Sequence, residues 1–268
     1  MSPQRSGLKS AVFALCVVGQ CELCAAGVTR AGEPAIAAPA PSVSRPAEVR
    51  TVILPAADYR LQYEQSFGKA GALEDFAASD PQVWRIASTN DGHMLELFGQ
   101  SRYQPPVRSP VNLALIRDRI FGDFVLECDL MQTGREYGHR DMCLFFGFES
   151  PSRFYYAHIA TAADDHAHNI FVVNDQPRTK IANETTKGVN WGLNVWHRVR
   201  VERTIGDGMI KVYFDDLKRP IMVAQDRTFG AGYIGFGSFD DTGMIANIRI
   251  WGPKVETKPG PLFVHPKP

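Results

Sequence analysis

Several short runs contain the residue types that could carry chemistry. The densest is Asp164-Asp165-His166-Ala167-His168-Asn169, with His158 upstream of it. Side chains at i and i+2 of a strand share a face. In extended chain, His166 and His168 could therefore chelate one divalent ion, calcium or zinc, with His158, Asp164 or His139 as third ligand. The same imidazoles could instead act as acid and base, His158 and His166 foremost, or could bond to sugar hydroxyls. A polar loop whose histidines only hydrogen-bond is the plainer alternative. Glu127 and Asp129 share a strand face, Glu127 as a catalytic candidate and Asp129 as a binding one; the alternative is two carboxylates turned to solvent.

Other runs could contact a ligand. Tyr156 shares a face with His158 and Phe154, and aromatic faces stack on the apolar faces of sugar rings. Trp191 follows Gly188 in a loop and is free to do the same, whereas Trp196 reads as core. Arg178 and Lys180 offer two cations to an anionic or keto sugar, or they balance Asp164 and Asp165 across a solvated turn. Asp240-Asp241-Thr242-Gly243 could bind calcium but reads better as a hairpin turn. Gly235 and Gly237 sit in a strand pattern, which indicates close backbone packing and not phosphate binding. The chain contains no G-x-S-x-G, P-loop or H-E-x-x-H.

The elements that must position these residues are strands. Phe124–Met131, Met142–Phe148, Phe154–Ala160 and His168–Val173 form a central succession. In the first, Phe124, Leu126, Cys128 and Leu130 share a core face, and Val125, Glu127, Asp129 and Met131 share one that is exposed or lines a groove. In the second, both faces are apolar, as in a strand covered on both sides. Earlier, Val52–Leu54 reads as an edge strand, Ala72–Phe76 as a helical turn, Trp84–Phe98 as a hairpin through Asn90-Asp91-Gly92, and Val111–Ile116 as a strand. Later, Trp196–Arg203 and Met209–Phe214 flank the Gly206-Asp207-Gly208 turn, followed by Ile221–Ala224, Tyr233–Phe239 and Ala246–Trp251. A dozen short strands without recurring amphipathic helices predict an all-β fold, two antiparallel sheets stacked as a β-sandwich.

Charge gives no reason to expect nucleic acid as partner, since 29 basic and 29 acidic residues cancel. Residues 1–32 read as an export signal: Arg5 and Lys9, the apolar Ala11–Gly19, then Cys24-Ala25-Ala26, with cleavage near Ala26. Cys21 raises a lipid anchor as the lesser option, and this is the one route to a membrane. Residues 33–50 are an Ala/Pro-rich linker, residues 51–253 the domain, and residues 254–268 a loose Pro-rich tail. The expected compartment is periplasmic or extracellular. Cys128 and Cys143 fall on strands expected to be neighbours, so a cross-strand disulfide and two buried thiols both remain open.

The run NVWHRVRVERTIGDGMIKVYFDD, Asn194–Asp216, resembles the W-H-x-V-x-V hairpin of laminin-G-like and concanavalin-A-like domains. Tyr233–Phe239 and Asn247–Ile250 look like later strands of the same domains. With the leader, the span from Tyr59 to Pro253 is similar to the bacterial family named for 3-keto-disaccharide hydrolase, within the concanavalin-A-like lectin/glucanase superfamily. The resemblance implies a curved jelly roll whose concave sheet meets carbohydrate. Glu127-Cys128-Asp129-Leu130-Met131-Gln132 resembles the E-x-D-x-x-E strand of laminarinase-type glucanases, where the first Glu is nucleophile and the last acid/base. Gln132 stands in the last position and cannot donate and recover a proton.

The leading expectation is carbohydrate recognition centred on Tyr156, His158, Asp164, His166 and His168. A keto-glycoside-cleaving enzyme is the rival: a ketone at sugar C3 acidifies the neighbouring C–H, so a base and an electrophile, a metal or Arg178/Lys180, could drive elimination. A structural or adhesive surface module is the third expectation.

Overall fold

The computed structural model describes residues 52–263. The expected leader and the whole of the expected linker, residues 1–50, lie outside these residues. In chain order the strands are β1 (Arg60–Gln65), β2 (Phe76–Ala78), β3 (Trp84–Thr89), β4 (Gly92–Leu97), β5 (Asn112–Ile116) and β6 (Arg119–Phe121). The central strands are β7 (Phe124–Gln132), β8 (Asp141–Ser150), β9 (Arg153–Ala160) and β10 (Asn169–Asn174). Next come β11 (Thr179–Lys180), β12 (Ala182–Thr185), β13 (Trp196–Arg203) and β14 (Met209–Phe214), then β15 (Met222–Gln225), β16 (Tyr233–Ser238), β17 (Gly243–Gly252) and β18 (Val255–Thr257). The helical content of the described residues is two 3-10 turns, Ala72–Asp75 and Pro81–Val83. No helix among them is long and apolar enough to cross a membrane.

The strands form two large antiparallel sheets. The nine-stranded sheet runs β12-β15-β14-β13-β7-β17-β4-β3, with β1 also paired to β17. The seven-stranded sheet runs β11-β10-β9-β8-β16-β5-β2, and β6 and β18 make a separate ribbon. Between the sheets lies the main core. Leu126, Cys128 and Leu130 from β7 and Val199 and Val201 from β13 meet Leu144 and Phe146 from β8 and Ala157 and Ile159 from β9. Each large side chain buried there contributes about 1.5–3 kcal/mol. The fold is the expected all-β, two-sheet antiparallel sandwich.

The outer face of the seven-stranded sheet is also apolar. Phe145, Phe148, Phe154, Tyr156 and Phe171 form a second cluster, covered by Tyr103, Val107, Leu262 and Phe263. This explains why the middle strand β8 is apolar on both faces. It also corrects the expectation of a loose tail as far as residue 263: β18 pairs with β6, and the Phe263 ring lies edge-on to Tyr103 at 5.5 Å. At Gly237 a Cβ would sit 1.8 Å from the carbonyl oxygen of Asn112, so the expected close backbone approach is present.

Two further expectations fail. Val52–Leu54 forms no strand, and Ile53 is 81% exposed. Cys128 and Cys143 are not on neighbouring strands: β7 and β8 belong to opposite sheets, and both thiols are free and buried. A sequence-adjacent strand that crosses to the other layer leaves the same alternation as one that pairs.

Candidate functional site

On the outer face of the seven-stranded sheet, β9, β8 and β16 bring together a compact polar group. The β8–β9 register sets Cys143 opposite His158, and the β8–β16 register sets Gly237 opposite Cys143. The turn after β16 therefore carries Phe239, Asp240 and Asp241 to the start of β8, where Asp141 stands. Asp141 is fully buried. Its Oδ2 accepts from Cys143 Sγ at 3.0 Å and from the Phe239 N–H at 2.9 Å, and lies 3.3 Å from His158 Nε2. Its Oδ1 has no partner, and both nitrogens of His158, a residue 3% exposed, lack a hydrogen bond of good geometry.

Aromatic rings pack around this group. The Phe239 ring stacks on the His158 imidazole at 6.1 Å, and the Arg178 guanidinium lies 4.1 Å from the Phe239 centroid. Tyr156 is stacked on Phe171 at 5.1 Å beneath. Arg178 Nη2 donates to the His166 carbonyl at 2.9 Å, while its Nη1 is buried and unpartnered. Tyr137 donates its hydroxyl proton to Asp241 Oδ2 at 2.8 Å, and the Asp141 N–H donates to the same oxygen at 3.0 Å. Asp240 is the exposed member of the acidic set.

The carboxyls split in electrostatic character. Burial alone would push Asp141 up, but His158, Cys143 and the Phe239 N–H together hold it below the ordinary carboxylate range. Burial and the nearby Asp141 charge push Asp241 up to about 7. Burial also pushes the Tyr156 phenol well above its usual value, so it stays protonated. Two sets of donor atoms lie close enough to share an ion: Asp141, Cys143 and His158, and Asp141, Asp240 and Asp241, each within 4.8 Å of one another.

Of the expected site residues, Tyr156, His158 and Arg178 converge here. The H-x-H expectation fails. Residues 161–168 form a loop, not a strand, because the Asp164 side chain accepts the N–H groups of His166 and Ala167 and closes a turn. His168 has a left-handed backbone, φ 52°, which breaks the period of two. His166 is exposed, whereas His168 is buried with Nδ1 accepting from the Ala160 N–H at 3.3 Å and Nε2 donating to Thr186 Oγ1 at 2.9 Å. Burial lowers the His168 pKa to about 4, so it is neutral and structural. His166, His168 and His158 thus do not form a metal-binding trio. Asp164 Oδ2 pairs with His139 Nε2 at 2.5 Å and Lys180 pairs with Asp165 at 2.6 Å, both in solvent.

Glu127 and Asp129 face the opposite side of the sandwich and are not exposed. The β7–β13 register sets Arg200 against Glu127 and Arg198 against Asp129. Glu127 Oε1 accepts from Arg200 Nε at 2.9 Å and from its Nη2; Asp129 Oδ1 accepts from Arg198 Nε at 2.6 Å, and its Oδ2 from Asn247 Nδ2 at 2.5 Å. Gln132 is buried and accepts from Arg140 Nε at 2.7 Å. The E-x-D-x-x-E resemblance therefore corresponds to buried pairing, not to a catalytic pair. Trp191 is 1% exposed in the main core, edge-on to Phe214 at 5.0 Å. The loop expected to free it packs Trp191 and Val189 against the main core instead.

Asp141, Cys143, Tyr137 and Phe239 were not expected as site residues. A signal for them exists in the sequence: Asp141 opens the otherwise apolar DMCLFFGF, and His158 interrupts the apolar FYYAHIA. Polar groups inside strands covered on both faces need a partner or a purpose. A separate cleft of about 790 Å³ opens between the β2 and β3 edges, with Phe67, Phe76, Trp84 and Ile86 in its walls. Its walls are mainly apolar, and the polar cluster at His158 lies outside it.

No protein-family model matches the chain, and no curated protein matches it. Solved structures do. Carbohydrate binding module CBM66 from Bacillus subtilis aligns at 19% identity and TM-score 0.47, over 66% of this chain and 96% of that one. Peanut lectin aligns at 10% identity and TM-score 0.48, over 75% and 100%. A GlcNAcα1-4Gal-releasing endo-β-galactosidase from Clostridium perfringens aligns at 14% identity and TM-score 0.46, over 77% and 66%.

Proposed function

We propose that this domain recognises a carbohydrate on the outer face of its seven-stranded sheet. The sugar meets Phe239, Asp240, Arg178 and Tyr137 above the His158–Asp141 group. The observation that carries the reading is unspent hydrogen-bonding capacity beside aromatic rings. Arg178 Nη1 and Asp141 Oδ1 have no partner in the protein. Phe239, half-buried with Arg178 over its ring, lies beside the exposed Asp240 carboxylate. Sugars present hydroxyls in the ring plane and C–H groups on its faces, which is the complement of such a surface. The test is a glycan screen followed by calorimetry on wild type and Asp240→Asn. Binding that weakens in the variant supports the reading; a hit that binds both proteins equally removes this face from it.

A second reading is favoured by the 3.3 Å contact between His158 Nε2 and the buried Asp141 carboxylate. A carboxylate that orients an imidazole makes a general base. In a 3-keto-glycoside, that base would take the C–H proton next to the ketone. The glycosidic C–O bond then breaks by elimination, and Arg178 offsets the charge on the ketone oxygen. This is the activity implied by the resemblance to the 3-keto-disaccharide hydrolase family. Aglycone release from a 3-keto-glycoside, abolished in His158→Gln, is its assay. Export through residues 1–32, and with it a periplasmic or extracellular location, belongs to the same proposal, and cell fractionation with N-terminal sequencing of the mature chain tests it.

A further inference from the structure

We propose that Asp141, Cys143 and His158 hold one transition-metal ion of the zinc class, with Asp240, whose carboxyl lies within 4.8 Å of that of Asp141, turning in from the exposed side as the fourth ligand. The idea rests on the preceding reading for its place on the ligand-binding face, but not for the coordination itself. The donors come from two adjacent strands, β8 and β9, and from the turn after β16, so the sheet holds them. Asp141 Oδ2 lies 3.0 Å from Cys143 Sγ and 3.3 Å from His158 Nε2. Ligands around a tetrahedral zinc ion stand about 3.2–3.8 Å apart, given its bond lengths. The cluster therefore needs only a small opening to admit one.

The second observation is the set of buried atoms left without partners. Asp141 Oδ1 and His158 Nδ1 have no partner, and His158 Nε2 has only its 3.3 Å contact with Asp141 Oδ2, although Asp141 is fully buried and His158 nearly so. A buried polar atom left without a partner destabilises the fold. A metal ion offsets that cost at the one carboxylate oxygen and the one imidazole nitrogen that bind it. Sulfur and imidazole donors select a borderline-soft ion, whereas calcium takes six to eight oxygens, which this set does not offer. Binding replaces the Cys143 S–H bond by a metal–sulfur bond and releases one proton to solvent. His158 as a ligand cannot also be a base, so the ion supports sugar binding or carbonyl polarisation and not imidazole-driven elimination.

The test uses the full chain, stripped with chelator and titrated with Zn²⁺ or Co²⁺. The expected result is one ion per chain by elemental analysis, a rise in Tm of roughly 5–10 °C at saturation, and a thiolate-to-cobalt charge-transfer band. Cys143→Ser loses the band. Asp240→Asn, at an exposed position, folds and binds the ion at least tenfold more weakly. His166→Ala, equally exposed, binds as wild type. Three results would overturn the proposal: a folded wild type that takes up neither ion, bound cobalt without a thiolate band, or stabilisation by Ca²⁺ alone. Glycan binding by a folded wild type that takes up neither ion sinks the metal site alone. An ion bound as described, with no glycan bound, sinks the sugar reading alone.

Discussion

The two outer faces of this sandwich both carry carboxylates inside strands, and they treat them oppositely. On the nine-stranded sheet, Glu127 and Asp129 each meet an arginine from the next strand in register, and Asn247 takes a further oxygen. On the seven-stranded sheet, Asp141 meets a thiol, an imidazole and a backbone N–H, and keeps one oxygen unspent. The first face is electrostatically closed and the second is open. A carboxylate pair on a strand is therefore not in itself a sign of chemistry; what separates structure from site is capacity left over after the fold has formed.

The largest expected effect breaks the closed face. Asp129→Ala leaves Arg198 unpaired beside a buried strand, and urea unfolding should show a loss of about 3–5 kcal/mol with glycan binding per folded molecule unchanged. A stable variant would mean that the arginine ladder is ornamental and that the contrast between faces is false.

Next in size is an acid effect near the open face. His168 is neutral in the fold, with its pKa lowered to about 4 from 6.5 by burial. The unfolded chain binds the extra proton first, so this stability is present above pH 6.5 and lost as pH falls towards 4. The loss should be about 2–3 kcal/mol, and it should be smaller in His168→Gln by chemical denaturation at a series of pH values. Equal acid sensitivity in both proteins would show that His168 is not the group responsible.

Arg178→Ala sharpens the contrast more gently. Its Nη1 is unspent, so the change should weaken a glycan ligand about tenfold, roughly 1.4 kcal/mol, by calorimetry. An unchanged affinity would detach Arg178 from the ligand. Smallest of all is Lys180→Ala. Its partner Asp165 stands in solvent, and neither melting temperature nor glycan affinity should move beyond replicate scatter.

Much of the fold was legible. Alternation marked β7, β9, β13 and β14, and the Asp91-Gly92 turn marked the β3–β4 hairpin. The doubly apolar β8 was read correctly as covered on both sides. The site was legible only in part. Tyr156, His158 and Arg178, singled out by strand parity and composition, fall in one cluster, whereas Asp164, His168 and Trp191 stand apart from it. In each, a local event overrode the pattern: an Asp side chain closing a turn, a left-handed residue, and a loop folding back over the core.

The sequence by itself determined the all-β class, the strand faces and the aromatic row beside His158, because these follow from side-chain alternation along a single strand. Only the tertiary structure decided which strand lies beside which. Pairing joins residues distant in the chain, and alternation is blind to the partner. That is why Glu127 looked like a nucleophile until Arg200 stood opposite it. It is also why Asp141 looked like nothing until the turn after β16 brought Phe239, Asp240 and Asp241 to it.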